Sequence, residues 1–118
     1  MYQILKGVQY LHKNNIIHRD IKCANIFINN KGKVKISDFG LARNITPNHT
    51  KKNTYKVVSL WFRGPKLLFG ETLYGTSIDI WSCGCVFGEL LTGNCPFQGQ
   101  IILFLLNINL VCALQKKC

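Results

Sequence analysis

Two short segments hold the side chains of this chain best able to do chemistry: His18-Arg19-Asp20-Ile21-Lys22-Cys23-Ala24-Asn25 and Asp38-Phe39-Gly40. Asp20 and Lys22 stand two residues apart, so in extended backbone both project to one side. A carboxylate and an ammonium so placed can align a hydroxyl, accept its proton and meet a phosphate. Asn25 offers a neutral amide oxygen and Asp38 a hard carboxylate, a pair suited to oxygen-loving Mg2+. Phosphoryl transfer to a hydroxyl asks a protein for this: positioning and charge neutralisation, with little covalent help.

The intervening segments must bring these groups together. Ile4, Leu5, Val8 and Leu11 recur at helical spacing, which predicts a helix over Tyr2–Lys13 with one buried stripe, ended by Asn14-Asn15. Ile26–Ile28 and Val34–Ile36 are short β-branched or aromatic runs separated by Asn29-Asn30-Lys31-Gly32, the pattern of a β-hairpin with a glycine-bearing turn. That hairpin returns Asp38 to the neighbourhood of Asn25. Residues 44–55 are polar, contain Pro47 and lack periodicity, so a mobile loop is expected there. Thr76–Leu91 is apolar on nearly every side, through Ile78, Ile80, Trp81, Cys85, Val86 and Leu90, which predicts a buried helix stopped by Gly93. The apolar run of residues 101–114, broken by Asn107 and Asn109, is shorter than the roughly 18–20 residues a membrane span needs. A buried helix or strand is the expectation there, and no membrane association.

Composition excludes several classes. Nearly half of the 118 residues are hydrophobic, enough for a core. Met1 opens straight into an amphipathic stretch that does not read as a secretory leader, and the six cysteines form neither paired CxxC motifs nor a Cys/His ligand set, so reduced thiols are expected. The formal charge of +10 is mostly lysine, scattered or paired and without interleaved aromatics, which argues for a solvated surface and against direct nucleic-acid recognition. Acidic residues number five (Asp20, Asp38, Glu71, Asp79 and Glu89), and the arginines are Arg19, Arg43 and Arg63. Types this scarce mark positions with specific work.

The HRD…N loop and the DFG triplet, in this order and with Lys22 in register, resemble the catalytic signature of protein kinases. Lys22 is similar to the serine/threonine class. Val57-Val58-Ser59-Leu60-Trp61-Phe62-Arg63-Gly64-Pro65 resembles the substrate-binding segment of the cyclin-dependent branch. Ile21-Lys22-Cys23, Trp81–Cys85 and Gly88–Leu90 resemble its transcription-elongation members, which phosphorylate the tail of RNA polymerase II.

The resemblance implies an α+β, mainly α, lower-lobe (C-terminal) kinase fold with a short catalytic hairpin. It implies ATP and Mg2+ as cofactors, a protein substrate with Ser/Thr-Pro, a cyclin partner for the full-length kinase, and a nuclear or cytoplasmic setting, with the nucleus favoured. It makes Asp20 and Lys22 catalytic, Asn25 and Asp38 metal ligands, and Lys22, Asn25, Phe27 and Asp38 nucleotide contacts. Phe27 would lie under the adenine where the family usually has leucine. Ser59 would sit beside Asp20 and Lys22, Trp61 in the substrate segment, and Arg63 at a pocket for the proline after the phosphoacceptor.

Thr54 falls at the activating phosphosite, with Thr50 and Tyr55 as neighbouring alternatives; Arg19 and Arg43 would pair with its phosphate. His18 and Phe39 would stack in a hydrophobic spine. Asp79 has two readings: a capping residue in Thr76-Ser77-Ile78-Asp79, or a support that reaches the backbone of the catalytic loop.

The family's glycine-rich loop, its upper-lobe strand lysine and the helix glutamate that pairs with it do not occur in these residues. Lys66 stands where the family has a glutamate. The expectation is therefore a partial kinase domain over residues 1–98, with the upper lobe and the cyclin-binding helix absent, followed by a divergent apolar tail over 99–118. Taken alone, it would be an inactive fragment. The alternative is a non-catalytic interaction module.

Overall fold

The computed structural model describes residues 1–45 and 57–99. Helix α1 runs over Tyr2–Lys13 and buries Ile4, Val8 and Leu11. Leu5, expected in the same stripe, is exposed, because the covered face is narrow and centres on the other three residues. At its C-terminal end Asn14 closes the last turn through backbone and side-chain bonds to the Tyr10 carbonyl. His12 and Lys13 lie in that turn, where positive charge suits the helix dipole.

The chain then forms β1 (Ile16–Ile17), a 3-10 turn over Cys23–Asn25, β2 (Ile26–Ile28), β3 (Val34–Ile36) and β4 (Arg43–Asn44). β2 and β3 pair antiparallel, with Ile26 opposite Ile36, Phe27 opposite Lys35 and Ile28 opposite Val34. Asn29 shapes the turn: its Oδ1 accepts the N–H groups of Lys31 and Lys33, and Gly32 takes a left-handed φ of 72° that suits a residue without Cβ. Gln3 of α1 clamps the hairpin, donating to the Gly32 carbonyl and accepting from the Val34 N–H. The β1–β4 pair, Ile16 with Asn44 and Ile17 with Arg43, is too short to leave a periodic trace in sequence.

A second 3-10 turn over Leu60–Phe62 leads into the short helix α2 (Pro65–Leu68), with proline at its start, and then into α3 (Ser77–Thr92). The core joins Ile4 and Val8 of α1 to Ile17, Ile21, Phe62, Leu67, Ile78, Cys85 and Val86. Gly93 ends α3 in the left-handed region, its N–H returning to the Glu89 carbonyl.

Burial of α3 is one-sided. Ile78, Asp79, Ser82, Cys83, Cys85 and Val86 are buried, whereas Ile80, Phe87, Leu90 and Leu91 are exposed. An all-round apolar helix is buried all round only if something covers each face, and here the covered face is the one toward α1 and the 3-10 turn at Leu60–Phe62.

Cys23, Cys83, Cys85 and Cys95 are free thiols. Among the described residues no helix is long and apolar enough to cross a membrane. Thr54, most of the expected 44–55 loop and the apolar tail from residue 100 onward lie outside the described residues.

Candidate active site

The geometry starts at Asp79. Its side chain is fully buried in the first turn of α3 and makes no capping bond there. Oδ2 accepts the His18 N–H at 2.9 Å and Oδ1 the Arg19 N–H at 2.9 Å. His12, at the end of α1, approaches Oδ2 through Nε2 at 2.8 Å. One carboxylate thus ties α1, α3 and the loop after β1 together, and the capping reading is not the bond that forms.

The tie holds unusual backbone. Arg19 sits at φ 67°, Asp38 at 59° and Val58 at 65°, all in the left-handed region. Such conformations cost of order 1–3 kcal/mol each and persist where surrounding bonds over-determine them. Asp79 fixes the N–H groups at Arg19. Arg63 holds the backbone at Val58, with Nε donating to the Val57 carbonyl and Nη2 to the Val58 carbonyl, both at 3.0 Å. Gly40 donates its N–H to Asp38 Oδ1 at 3.2 Å.

With the loop so held, Asp20 is mostly buried and surrounded by donors. Lys22 Nζ lies 3.0 Å from Oδ2, and Asn25 Nδ2 donates to the same oxygen at 3.0 Å. Ser59 donates through Oγ to Oδ1 at 3.1 Å and in turn accepts Lys22 Nζ at 3.1 Å. Burial alone would raise the Asp20 carboxyl, but the bond and charge of Lys22, with the bonds from Ser59 and Asn25, hold it below the ordinary value of 3.8. The group is an ionised acceptor at neutral pH.

Asn25 is buried and fully committed through its amide nitrogen, which donates to the Asp20 carbonyl at 2.8 Å as well as to the side chain. Its Oδ1 has no protein partner among the described residues. Among the described residues, the exposed Asp38 carboxylate carries only the local Gly40 bond. Among the described residues no cluster of three or more His, Cys, Asp or Glu forms an all-protein metal cage. A neutral amide oxygen and one carboxylate instead match Mg2+, which keeps waters and phosphate oxygens in its shell and takes one or two protein ligands. The donor set fits a Mg-nucleotide.

The remaining predicted residues fall as follows. His18 is fully buried; Nε2 faces the Ser37 carbonyl at 3.0 Å, Nδ1 accepts the Asp20 N–H at 3.2 Å, and the ring meets Phe39 edge-on at 4.9 Å. Phe27 lies on the open face of the hairpin, 60% exposed. Arg19 is already engaged: Nε donates to the Leu41 carbonyl at 2.6 Å and Nη1 to the Tyr74 hydroxyl at 3.0 Å. Arg43 pairs through β4 with Ile17, and its side chain is half-buried. Trp61 is half-exposed on the turn after Ser59. Lys66 is exposed.

Three participants were not anticipated. His12 is an ordinary polar residue of a helix end until the fold sets it beside Asp79. Tyr74 gives no signal in an irregular stretch. Glu89, from α3, lies against the Cys23 thiol in the 3-10 turn after β1, a contact that its scarcity as an acidic residue did not specify. The left-handed Val58 is equally invisible, since a β-branched residue is the last expected there.

A family model described as the protein kinase domain matches residues 1–114. Over 101 residues, 85% of this chain, the sequence is 54% identical to cyclin-dependent kinase 12 of Drosophila melanogaster, of which that stretch is 9%. It is 51% identical over 98 residues to the CTD kinase subunit alpha of Schizosaccharomyces pombe, covering 83% of this chain and 16% of that protein. The fold is similar to that in a crystal structure of the yeast RNA Pol II CTD kinase CTDK-1 complex, with a TM-score of 0.77 and 49% identity over 81% of this chain and 31% of that one. The chain therefore spans under a third of these relatives' lengths. On the family match, the HRD and DFG segments and the fold that joins them, the chain belongs to the protein kinase family.

Proposed function

We propose that this chain is lower-lobe machinery of a cyclin-dependent-type serine/threonine kinase, transferring the γ-phosphate of ATP to Ser or Thr followed by Pro in a protein. The observation that carries this reading is the Asp20–Ser59–Lys22 triangle. A hydroxyl there donates to the carboxylate and accepts from the ammonium at 3.1 Å each, the two bonds an attacking hydroxyl would need. Mg-ATP, when bound, supplies the phosphoryl group and the cation that offsets its charge.

Asp20 orients the incoming hydroxyl and takes its proton, and its depressed pKa keeps it ready as an acceptor. Lys22 meets the transferring phosphate. Asn25 Oδ1 and Asp38 would hold the metal, and Phe27 would lie beneath the base. Arg63, by fastening Val57 and Val58, would shape the site for the residue after the phosphoacceptor, next to Ser59 and Trp61. Arg43 and Arg19 would receive phosphate on Thr54, with Arg19 exchanging one of its present partners. His18, Phe39 and Asp79 support the loop.

The names of the relatives favour the C-terminal domain of RNA polymerase II as substrate, a nuclear setting and a cyclin partner contacted by parts of the kinase other than these residues. The glycine-rich loop and strand lysine that hold ATP from above are likewise not in these residues, so the isolated chain is expected to be inactive.

The test is a graft. Residues 1–98 would replace the matching segment of an intact cyclin-dependent kinase, assayed with its cyclin on Ser-Pro and Ser-Ala peptides. Phosphorylation of the Ser-Pro peptide, lost in Asp20→Asn, is the expected result. A graft that folds and binds its cyclin yet phosphorylates neither peptide would overturn the reading in favour of an interaction module.

A further inference from the structure

The β2–β3 hairpin carries a cluster of lysines to which the proposed function gives no role. Residues paired across an antiparallel ladder share a face, so Lys35 lies beside Phe27, and Lys33, just before β3, borders the same recess as Lys35. Ile26, Val34 and Ile36 pack the other way, against the core. Lys31 stands at the turn, and Asn29, Asn30, Lys31, Lys33 and Lys35 together line an open recess of about 590 Å³.

Two features separate this cluster from ordinary solvated lysines. First, among the described residues none of these lysines is in an ion pair; the pairs are His12 with Asp79 and Lys22 with Asp20. Second, its backbone is locked, by Asn29 Oδ1 on the Lys31 and Lys33 N–H groups and by Gln3 on both sides of Lys33. A preformed array spends less binding energy on ordering than a flexible tail does.

We propose that this face docks an extended acidic peptide with carboxylates at alternate positions. Lys33 and Lys35 are two residues apart, a span of about 6.6–6.8 Å in extended backbone. An extended partner with Glu or Asp at i and i+2 presents negative charge at that same pitch. A single-stranded nucleic acid would call for aromatics interleaved with the lysines; the hairpin has Phe27 alone, at one end of the row. The lysines lie outside the catalytic triangle, and Phe27 alone, at the end of the row, is shared with the nucleotide site of the kinase reading.

The test uses the whole 118-residue chain and a fluorescent peptide alternating Glu with Thr, followed by anisotropy. Lys33→Gln/Lys35→Gln should weaken binding at least about five-fold, the scale of two exposed ion pairs. The charge-matched Lys13→Gln/Lys66→Gln should stay within about two-fold of the parent, and salt should weaken the parent's binding. All four lysines are exposed, so the variants should keep the parent's circular dichroism. Equal weakening in both double variants would reduce the effect to net charge and overturn the proposal. So would equal binding of a peptide with its glutamates in one block, no binding of the alternating peptide, or displacement by a single-stranded oligonucleotide at lower concentration.

Discussion

The carboxylate of Asp79 accepts the backbone N–H of Arg19 at 2.9 Å, across 60 residues of sequence, and Arg19 is held there at φ 67°. A buried side chain on one helix thus stabilises a strained peptide in the loop that carries Asp20. Asp20 follows Arg19 directly, so the tie sits one residue from the carboxylate that accepts from Ser59.

Asp79→Ala should therefore cost the 118-residue chain roughly 3 kcal/mol, since it strands two buried N–H donors. His12→Ala, which removes one partly buried bond to the same carboxylate, should cost about 1 kcal/mol. Urea denaturation followed by circular dichroism would measure both; equal effects would mean that Asp79 acts chiefly through His12.

Arg63→Lys keeps the charge and loses the two-pronged grip on the Val57 and Val58 carbonyls. Faster amide exchange confined to the segment around Val58 and Ser59 is expected, with a global loss of about 1–2 kcal/mol. Unchanged exchange at Ser59 would show that the left-handed Val58 is held by packing instead.

The Asp20 carboxyl should titrate below 3.8 in a carbon-detected NMR experiment. Lys22→Met should raise it more than Ser59→Ala, because Lys22 supplies both a hydrogen bond and a charge. The folded state favours the ionised form, so the stability this group contributes is present above the ordinary carboxylate range. It is lost as pH falls through the depressed value. A rise in Ser59→Ala equal to that in Lys22→Met would contradict the charge argument.

Burial pushes the Cys83 thiol up to about 11, helped by the Asp79 charge, and the Cys23 and Cys85 thiols up to about 12. At Cys23 the bond and charge of Glu89 add to burial. Iodoacetamide at pH 8 should label these cysteines slowly in the native chain and rapidly in denaturant. The folded state favours the protonated thiols, so their contribution is whole below about pH 9 and declines as pH rises toward the folded values. Glu89→Gln should speed native labelling of Cys23 specifically.

Sequence alone determined the local elements and the chemical inventory. The 3.6-residue stripe of α1, the alternating runs around Asn29–Gly32 and the Gly93 stop are short-range patterns, each written within one turn or one hairpin. Asp20, Lys22, Asn25 and Asp38 could be named as a set because motif spacing encodes which donors and acceptors one loop and one hairpin can present together.

Tertiary structure decided how that set is held, and which faces are covered. The Asp79 tie and the recruitment of His12 and Tyr74 join residues far apart in the chain, where no periodicity survives, while the Arg63 clamp reaches back only to Val57 and Val58. Left-handed backbone at Arg19 runs against local preference and is held by the long-range Asp79 bond, as that at Val58 is held by Arg63. The same cause limits α3: its composition suits burial on every side, but burial belongs to the neighbours a helix finds, and Ile80, Phe87 and Leu91 remain open.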